Sequence, residues 1–209
     1  MSTRQDGEKS SYHHGDLRQQ LVEAAILMVR EKGLEQLSLR RLAEQLGVSP
    51  AALYHHFRDK QALLCAMGEE GIRRFDAQLL GDGNKGNPAA ELERFVRLYV
   101  GFAVANPELY ELMFGRTTWK GGTTTAFEQT ARASFRRYAE MVIGAQAQGG
   151  MTRDINPLRL AQVVWATLHG LCRMHNDGLL LTPADVEDIS RYALWMVRRV
   201  AVGGDEPES

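Results

Sequence analysis

The sequence has few of the residues that characterise secreted, membrane-bound or redox proteins. Its 209 residues contain two cysteines, Cys65 and Cys172, far apart and without CxxC spacing. We expect reduced core thiols, with a redox pair as the alternative. No apolar run approaches the ~20 residues that span a bilayer, and the polar residues 1–11 lack the apolar region of a signal peptide. The expected protein is therefore cytoplasmic, without a membrane partner.

Catalytic and metal-binding motifs are also scarce. The stretch 81–86 satisfies GxGxxG, but it follows a predicted helix and belongs to no βαβ unit. The motifs GxSxG, HExxH and the Walker loop do not occur. His169 and His175 are six positions apart, on different helix faces, without a neighbouring carboxylate or cysteine at ligand spacing. We therefore expect no enzyme, no cofactor and no metal site, while an enzyme on this fold stays an alternative.

The composition is that of an ordinary globular protein, with 44% hydrophobic residues, 24% charged residues and a net charge of −1. The charge is unevenly distributed. Within residues 38–60, Arg40, Arg41, Arg58 and Lys60 outnumber Glu44 and Asp59. Because phosphate contacts depend on the local field, this segment can bind nucleic acid even though the whole chain is not basic.

Proline placement predicts where the helices begin. Five of the six prolines follow a capping residue and open an apolar-periodic segment, which is typical of helix starts. No strand pattern occurs, so the expected fold class is all-α. The predicted helices are 16–32, 38–46, 50–57, 60–80, 88–105, 107–115, 123–149, 157–178 and 183–201. The predicted domains are a helix-turn-helix domain at 12–60 and a ligand-binding and dimerisation domain at 61–202, between flexible tails at 1–11 and 203–209.

The most informative segment is 38–64, SLRRLAEQLGVSPAALYHHFRDKQALL. Ser38 is a candidate N-cap of an amphipathic helix, and Gly47 can take the left-handed conformation that ends it. Ser49 and Pro50 then restart the chain as a second helix. Two short helices joined by so tight a turn are typical of a DNA-reading unit whose second helix enters the major groove. A plain helical hairpin is the alternative.

Several side chains of this unit have the chemistry of DNA contacts. Ala51 and Ala52 permit close approach, Tyr54 and His56 can donate to phosphates or base edges, and Lys60 can bind a phosphate. For His13 and His14, in the polar arm before the first helix, a solvated role and a DNA contact are equally open.

Residues 33–64, with the preceding helix 16–32, resemble the DNA-binding domain of the TetR family of bacterial transcriptional regulators. The stretch from Leu53 to Phe57, LYHHF, carries most of this resemblance. It implies a helical connector after the reading unit and DNA contacts from Ser38, Arg40, Ser49, Ala51, Ala52, Tyr54, His56 and Lys60. Alanine at 51 and 52 departs from the longer or polar side chains often found there, so we expect sparse direct base readout.

The stretch 95–138 is rich in aromatic residues and methionine, most of which a helical bundle needs for its core. We nevertheless expect an apolar effector cavity. Its predicted lining is Tyr99, Phe102, Tyr110, Met113, Phe114, Phe135, Trp165 and His169. Residues 165–170, WATLHG, resemble the Trp-x-x-x-His-Gly signature of one TetR subgroup. Whether His169 binds the ligand or is a satisfied core histidine is left open.

The last two predicted helices are more apolar than a monomer's surface helices require, which predicts a four-helix interface in a homodimer. The candidate interface residues are Val164, Leu168, Leu171, Ile189 and Met196. The resulting hypothesis is a repressor that binds a palindromic double-stranded DNA operator and is released by a small apolar or aromatic effector. A regulator controlled by a partner protein, or one that binds constitutively, is the alternative.

Overall fold

The computed structural model describes residues 14–81, 88–148 and 155–179, together with the single positions 188, 191, 192 and 195. These residues form nine α-helices and one 3-10 turn and include no strand, which confirms the all-α prediction. The elements are α1 (His14–Lys32), the 3-10 turn (Leu34–Gln36), α2 (Leu39–Leu46), α3 (Pro50–His56), α4 (Lys60–Leu79), α5 (Pro88–Ala105), α6 (Pro107–Phe114), α7 (Arg116–Gly121), α8 (Thr125–Ala147) and α9 (Pro157–Asn176).

Eight of the predicted helices correspond to observed ones, and the helix α7 is an addition. Its six residues, RTTWKG, are too few to show a helical period in the sequence. The predicted helix 183–201 lies outside the described residues except at positions 188, 191, 192 and 195, which are helical. The predicted tails 1–11 and 203–209 also lie outside them.

The turn of the helix-turn-helix unit is built by local hydrogen bonds. Gly47 ends α2 in the left-handed conformation, at φ 65°. The Ser49 hydroxyl then caps α3 by accepting a hydrogen bond from the backbone N–H of Ala52 at 3.1 Å. Ser38 occupies the N-cap of α2, as predicted, although its hydroxyl makes no capping hydrogen bond.

Two hydrophobic clusters share the helix α4. The first cluster joins α1 to α3 with the N-terminal half of α4, and it includes one residue of α6, Leu112. The second cluster joins the C-terminal half of α4 with α5, α6, α8 and α9. A displacement of α4 therefore changes the packing of both clusters, because buried side chains are close-packed.

Glycines permit a close approach of α4 to its neighbours. A Cβ on Gly68 would lie 2.9 Å from the backbone oxygen of Leu112 and 2.7 Å from the ring of Phe127. A Cβ on Gly71 would lie 2.8 Å from the side chain of Met113. The position of α4 against α6 thus depends on these two residues having no side chain.

Candidate DNA-reading surface and effector cavity

The predicted DNA contacts lie on α2, on the turn, on α3 and at the start of α4. Leu42, Ala43 and Leu53 face the core, so the opposite sides of α2 and α3 reach solvent. The exposed members of the predicted set are Arg40, Ser49, Ala51, Tyr54 and Lys60, and the half-buried members are Ser38, Ala52 and His56.

The exposed cations of this surface have weak partners within the protein. Arg40 pairs with Glu44 at 3.0 Å and Arg58 pairs with Asp59 at 3.1 Å, in both cases between exposed side chains. The ammonium of Lys60 lies 3.5 Å from the backbone oxygen of Leu34. Because exposed ion pairs contribute little free energy, these side chains can exchange their partners for phosphates at small cost.

A cavity of about 500 Å³ lies among α4, α5, α8 and α9. Eight of its sixteen lining residues are aromatic. The lining comprises Ile72, Phe75, Asp76, Leu80, Phe95, Tyr99, Phe114, Trp119, Ala131, Arg132, Ser134, Phe135, Tyr138, Gln162, Trp165 and Ala166. A cavity of this size and apolar character is typical of small-molecule sites.

Four of the eight predicted effector contacts, Tyr99, Phe114, Phe135 and Trp165, line this cavity. The other four do not. Phe102, Tyr110 and Met113 are buried among core side chains, as helices of a bundle require. His169 lies behind Trp165, with the two rings stacked at a centroid distance of 5.5 Å.

His169 is satisfied by a hydrogen-bond chain inside the protein. The hydroxyl groups of Tyr99 and Tyr110 lie 2.9 Å apart, and the Tyr110 hydroxyl lies 2.7 Å from Nδ1 of His169. Burial raises the pKa of Tyr110, so this hydroxyl keeps its proton. Burial and the nearby Arg173 lower the pKa of His169. The Tyr110 hydroxyl and His169 therefore share a hydrogen bond within the core, and the lowered pKa favours the neutral imidazole, as expected for a core histidine.

The contribution of α4 to the cavity is not predicted from the sequence. The family resemblance implies only a connector, yet Ile72, Phe75 and Asp76 form part of the cavity wall. The carboxylate of Asp76 accepts hydrogen bonds from the Ser134 hydroxyl, at 2.6 Å, and from the guanidinium of Arg137. The sequence offers no signal that separates Asp76 from Glu69 and Glu70 of the same helix, because only the packing of α4 on α8 places Asp76 at the cavity.

Three of the candidate interface residues pack against the core of their own chain, and the other two lie outside the described residues. Val164 and Leu168 are 3% and 0% exposed and belong to the core of a single chain. Their apolar character is thus explained without a partner, and the assignment of these two residues to an interface has to be corrected. Leu171 is half-buried against the same core. Ile189 and Met196 lie outside the described residues.

The solvent face of α9 carries a different set of apolar residues. Val163 is 57% exposed and Met174 is 42% exposed. Gly170 lies between them on the same side, and among the described residues no atom outside its own helix lies within 4 Å of where a Cβ would be.

Among the residues that the structure describes, no helix is long and apolar enough to cross a membrane. Within the same residues, no group of three or more histidine, cysteine or acidic side chains is arranged to hold a metal ion.

Comparison with known proteins identifies the family. Residues 21–67 match the family of bacterial regulatory proteins called the tetR family, and residues 92–199 match the C-terminal domain described as tetracyclin repressor-like. The second match alone covers about half of the chain. This protein therefore belongs to the TetR family of bacterial transcriptional regulators. Neither match tests the subgroup that residues 165–170 resemble.

Individual relatives show where the similarity lies. The class C tetracycline repressor of Escherichia coli is 46% identical over 52 residues, which are 25% of this chain and only 24% of that repressor. A structure of a protein with unknown function from Rhodococcus sp. RHA1 is 34% identical, covers 93% of this chain and 100% of its own, and has a TM-score of 0.77.

A third structure, of AibR with isovaleryl coenzyme A and operator DNA, shares the fold at 20% identity, with a TM-score of 0.62. Its match covers 86% of this chain and 97% of that chain.

Proposed function

We propose that this protein is a homodimeric repressor that binds a near-palindromic operator through α3 and leaves it when a small apolar or aromatic molecule fills the cavity. The observation that carries the proposal is that α4 forms part of the cavity wall and part of the reading-unit core. The proposal assigns no catalytic role to the chain.

The DNA-binding part of the proposal is supported by the side chains that α3 presents. Tyr54 is 54% exposed although it is a large aromatic residue. Ala51, one turn earlier, is exposed and small, so the helix can approach the groove floor closely. With few polar side chains on α3, we expect phosphate contacts to provide much of the affinity and DNA shape to contribute to specificity.

The effector part of the proposal is supported by the connections of α4. Ile72 and Phe75 contact the cavity, while Leu63 and Met67, two to three turns earlier, are buried in the reading-unit core. A ligand that prefers one position of α4 shifts the population toward that position, and only this difference in affinity can release DNA.

A second connection runs through α7. The side-chain amide of Gln61, next to the reading unit, donates to the backbone oxygens of Thr118 and Gly122 at 3.1 Å each. Trp119, on the same short helix, lines the cavity. The protein known as AibR, in which an acyl coenzyme A and operator DNA were captured together, is a precedent on this fold for both kinds of partner.

The dimer part of the proposal rests on the outward face of α9. A pair of reading units at a fixed distance requires two subunits, since each chain carries one. We assign the contact to Val163, Gly170 and Met174 and to the neighbouring Leu171. Gly170 would permit the close approach of the partner's helix.

The proposal is tested by two linked experiments on the full chain. Selection from random duplex DNA should yield a near-palindromic sequence bound at physiological salt. A thermal-shift screen of apolar and aromatic compounds should then yield stabilising compounds, and these should lower operator affinity. His169→Ala serves as a comparison, because we expect it to alter ligand affinity only indirectly, through Trp165.

Failure of either experiment has a definite meaning. Selection without any preferred duplex contradicts the DNA-binding assignment. Stabilising compounds that never change operator affinity contradict effector control and favour a regulator controlled by a partner protein or one that binds constitutively.

A further inference from the structure

The otherwise aromatic cavity has one shielded carboxylate in its wall. The side chain of Asp76 is only 11% exposed. Arg132, the other charged residue of the lining, has a side chain that is 76% exposed, so its guanidinium lies at the rim in water. A ligand inside the cavity therefore meets its strongest polar group at Asp76.

The other polar groups of the wall already have protein partners. The Tyr99 hydroxyl bonds to the Tyr110 hydroxyl, and the Tyr138 hydroxyl donates to the backbone oxygen of Ala161 at 3.1 Å. The indole N–H of Trp119 donates to the backbone oxygen of Met113 at 3.0 Å. The Gln162 amide oxygen accepts from Arg159 at 2.8 Å. These bonds already occupy part of the hydrogen-bonding capacity of each group, and all of these groups are neutral, whereas Asp76 offers a charged acceptor.

Asp76 keeps acceptor capacity after its own partners are counted. One carboxylate oxygen accepts from Ser134 and the other from Arg137, whereas a carboxylate offers about four lone-pair positions. Arg137 balances the charge of Asp76, so a neutral donor can bind without leaving an unpaired charge in the cavity. An anionic group would be repelled by the carboxylate.

We propose that the effector is a largely apolar molecule that carries a neutral hydroxyl donor, an alcohol or a phenol, and that this hydroxyl binds Asp76 beside or in place of the Ser134 hydroxyl. The inference rests on the proposed function and names its ligand class. The eight aromatic rings hold the body of the molecule, and the carboxylate fixes its orientation.

The same contact gives the ligand access to α4. Asp76 lies on α4, and both of its partners lie on α8. A ligand hydroxyl that replaces the Ser134 hydroxyl removes one polar connection between the two helices. Because α4 continues into the reading-unit core, this exchange favours a changed position of that unit.

The test compares three probes of one shape on the full-length protein: 2-naphthol, naphthalene and 2-naphthoate. Their affinities are measured by fluorescence titration at neutral pH, where the naphthol is uncharged. We expect 2-naphthol to bind about tenfold more tightly than naphthalene, as a hydrogen bond to a charged acceptor allows, and 2-naphthoate to bind most weakly.

Variants separate a ligand contact from a structural role. In Asp76→Ala the ratio of the naphthol and naphthalene affinities should fall to about one, whereas a merely structural role would weaken both probes alike. Ser134→Ala should keep or increase the ratio, because the carboxylate stays and loses a competing donor. Glu140→Gln, an exposed change on α8, is the control and should leave the ratio unchanged. If Asp76→Ala does not fold, Asp76→Asn should still lower the ratio severalfold, since its acceptor is uncharged.

Several outcomes would overturn the inference. The first three are equal affinities for naphthol and naphthalene, a higher affinity for naphthoate than for naphthol, and no binding of any probe. The fourth is a ratio of naphthol to naphthalene affinity that stays unchanged in Asp76→Ala. Equal operator release by naphthol and naphthalene would overturn it while supporting the proposed function. An Asp76-dependent preference without any change in operator affinity would support the donor contact and contradict effector control.

Discussion

Lys60 and His169 represent the two kinds of polar residue on which the proposed function depends. Lys60 is exposed at the junction between the reading unit and α4, where its ammonium lies 3.5 Å from the backbone oxygen of Leu34. His169 is held between Tyr110 and Trp165 inside the second domain. In the proposed function, Lys60 exchanges its contact with the protein for a DNA phosphate, whereas His169 keeps its contacts within the protein.

Lys60→Ala should weaken operator binding by ~1–3 kcal/mol and lower the salt dependence by about one counterion, because one phosphate contact is lost. Binding isotherms at several salt concentrations measure both effects. Lys120→Ala, which removes the same charge from an exposed position on α7, is the matched control. Equal losses in the two variants would mean that only net charge matters and that Lys60 makes no specific contact.

The depressed pKa of His169 predicts a pH dependence of folding. The groups that face its ring are the Tyr110 hydroxyl, Arg173 and Glu111, and the first cause of the depression is burial. His169 therefore binds a proton more readily in the unfolded chain than in the folded protein. The free energy of unfolding is not reduced by this difference above the ordinary pKa near 6.5, and it decreases as the pH falls below that value.

Wild type should accordingly lose more unfolding free energy than His169→Gln between pH 7.5 and pH 5.5. Urea unfolding at one fixed protein concentration measures the free energy of unfolding of each protein at each of the two pH values. Identical losses in the two proteins would show that His169 does not carry this pH dependence.

Among the helices, α4 has two roles: it connects the two hydrophobic clusters, and it forms part of the cavity wall. Its glycines bring it close to α6, and the ion pair between Arg74 and Glu23 of α1 ties it to the reading unit. The cavity can therefore influence the reading unit through a single rigid helix and need not act through a chain of flexible loops.

Gly68→Ala should destabilise the protein by ~1–3 kcal/mol, because the new methyl group would collide with a backbone oxygen of α6. The control is Gly101→Ala on α5, where nothing lies within 4 Å of the new methyl group. That change should stabilise by ~0.5–1 kcal/mol through helix propensity. Chemical unfolding of both variants measures the difference, and a stabilising Gly68→Ala would contradict the close packing of α4 on α6.

At the scale of the whole molecule, the proposed dimer depends on an exposed apolar face of α9. On α9, Val163 and Met174 are exposed apolar residues, and the half-buried Gly170 lies between them on the same side. Tyr192 and Trp195, in the later segment, are exposed as well, at 66% and 44%. Such surface is more apolar than an isolated subunit needs.

Val163→Arg should leave a folded monomer that has lost most of its operator affinity, because an arginine in the proposed interface would be unpaired and desolvated. Light scattering and helical content measure assembly and folding. Leu27→Arg, at a 47% exposed position on α1, is the control and should stay dimeric. A dimeric Val163→Arg protein would contradict the proposed interface. Leu168→Arg is unsuitable for this test, since Leu168 is buried within one chain.

The all-α fold and the turn of the reading unit are predictable from the order of the residues alone. These features depend on contacts between residues a few positions apart, such as the bond from Ser49 to Ala52 and the positive φ of Gly47. Such short-range hydrogen bonds and backbone preferences can be read from the order of the residues.

Which side chains meet in the cavity, and which residues of α9 are exposed, depends on how distant helices pack. Asp76 and Ser134 are 58 positions apart and meet because α4 packs on α8. Val163 and Val164 are neighbours of the same chemical type, yet one is exposed and the other is buried. Helical periodicity shows that an apolar face exists, but the packing of distant helices decides which residues that face buries and where a space remains between them.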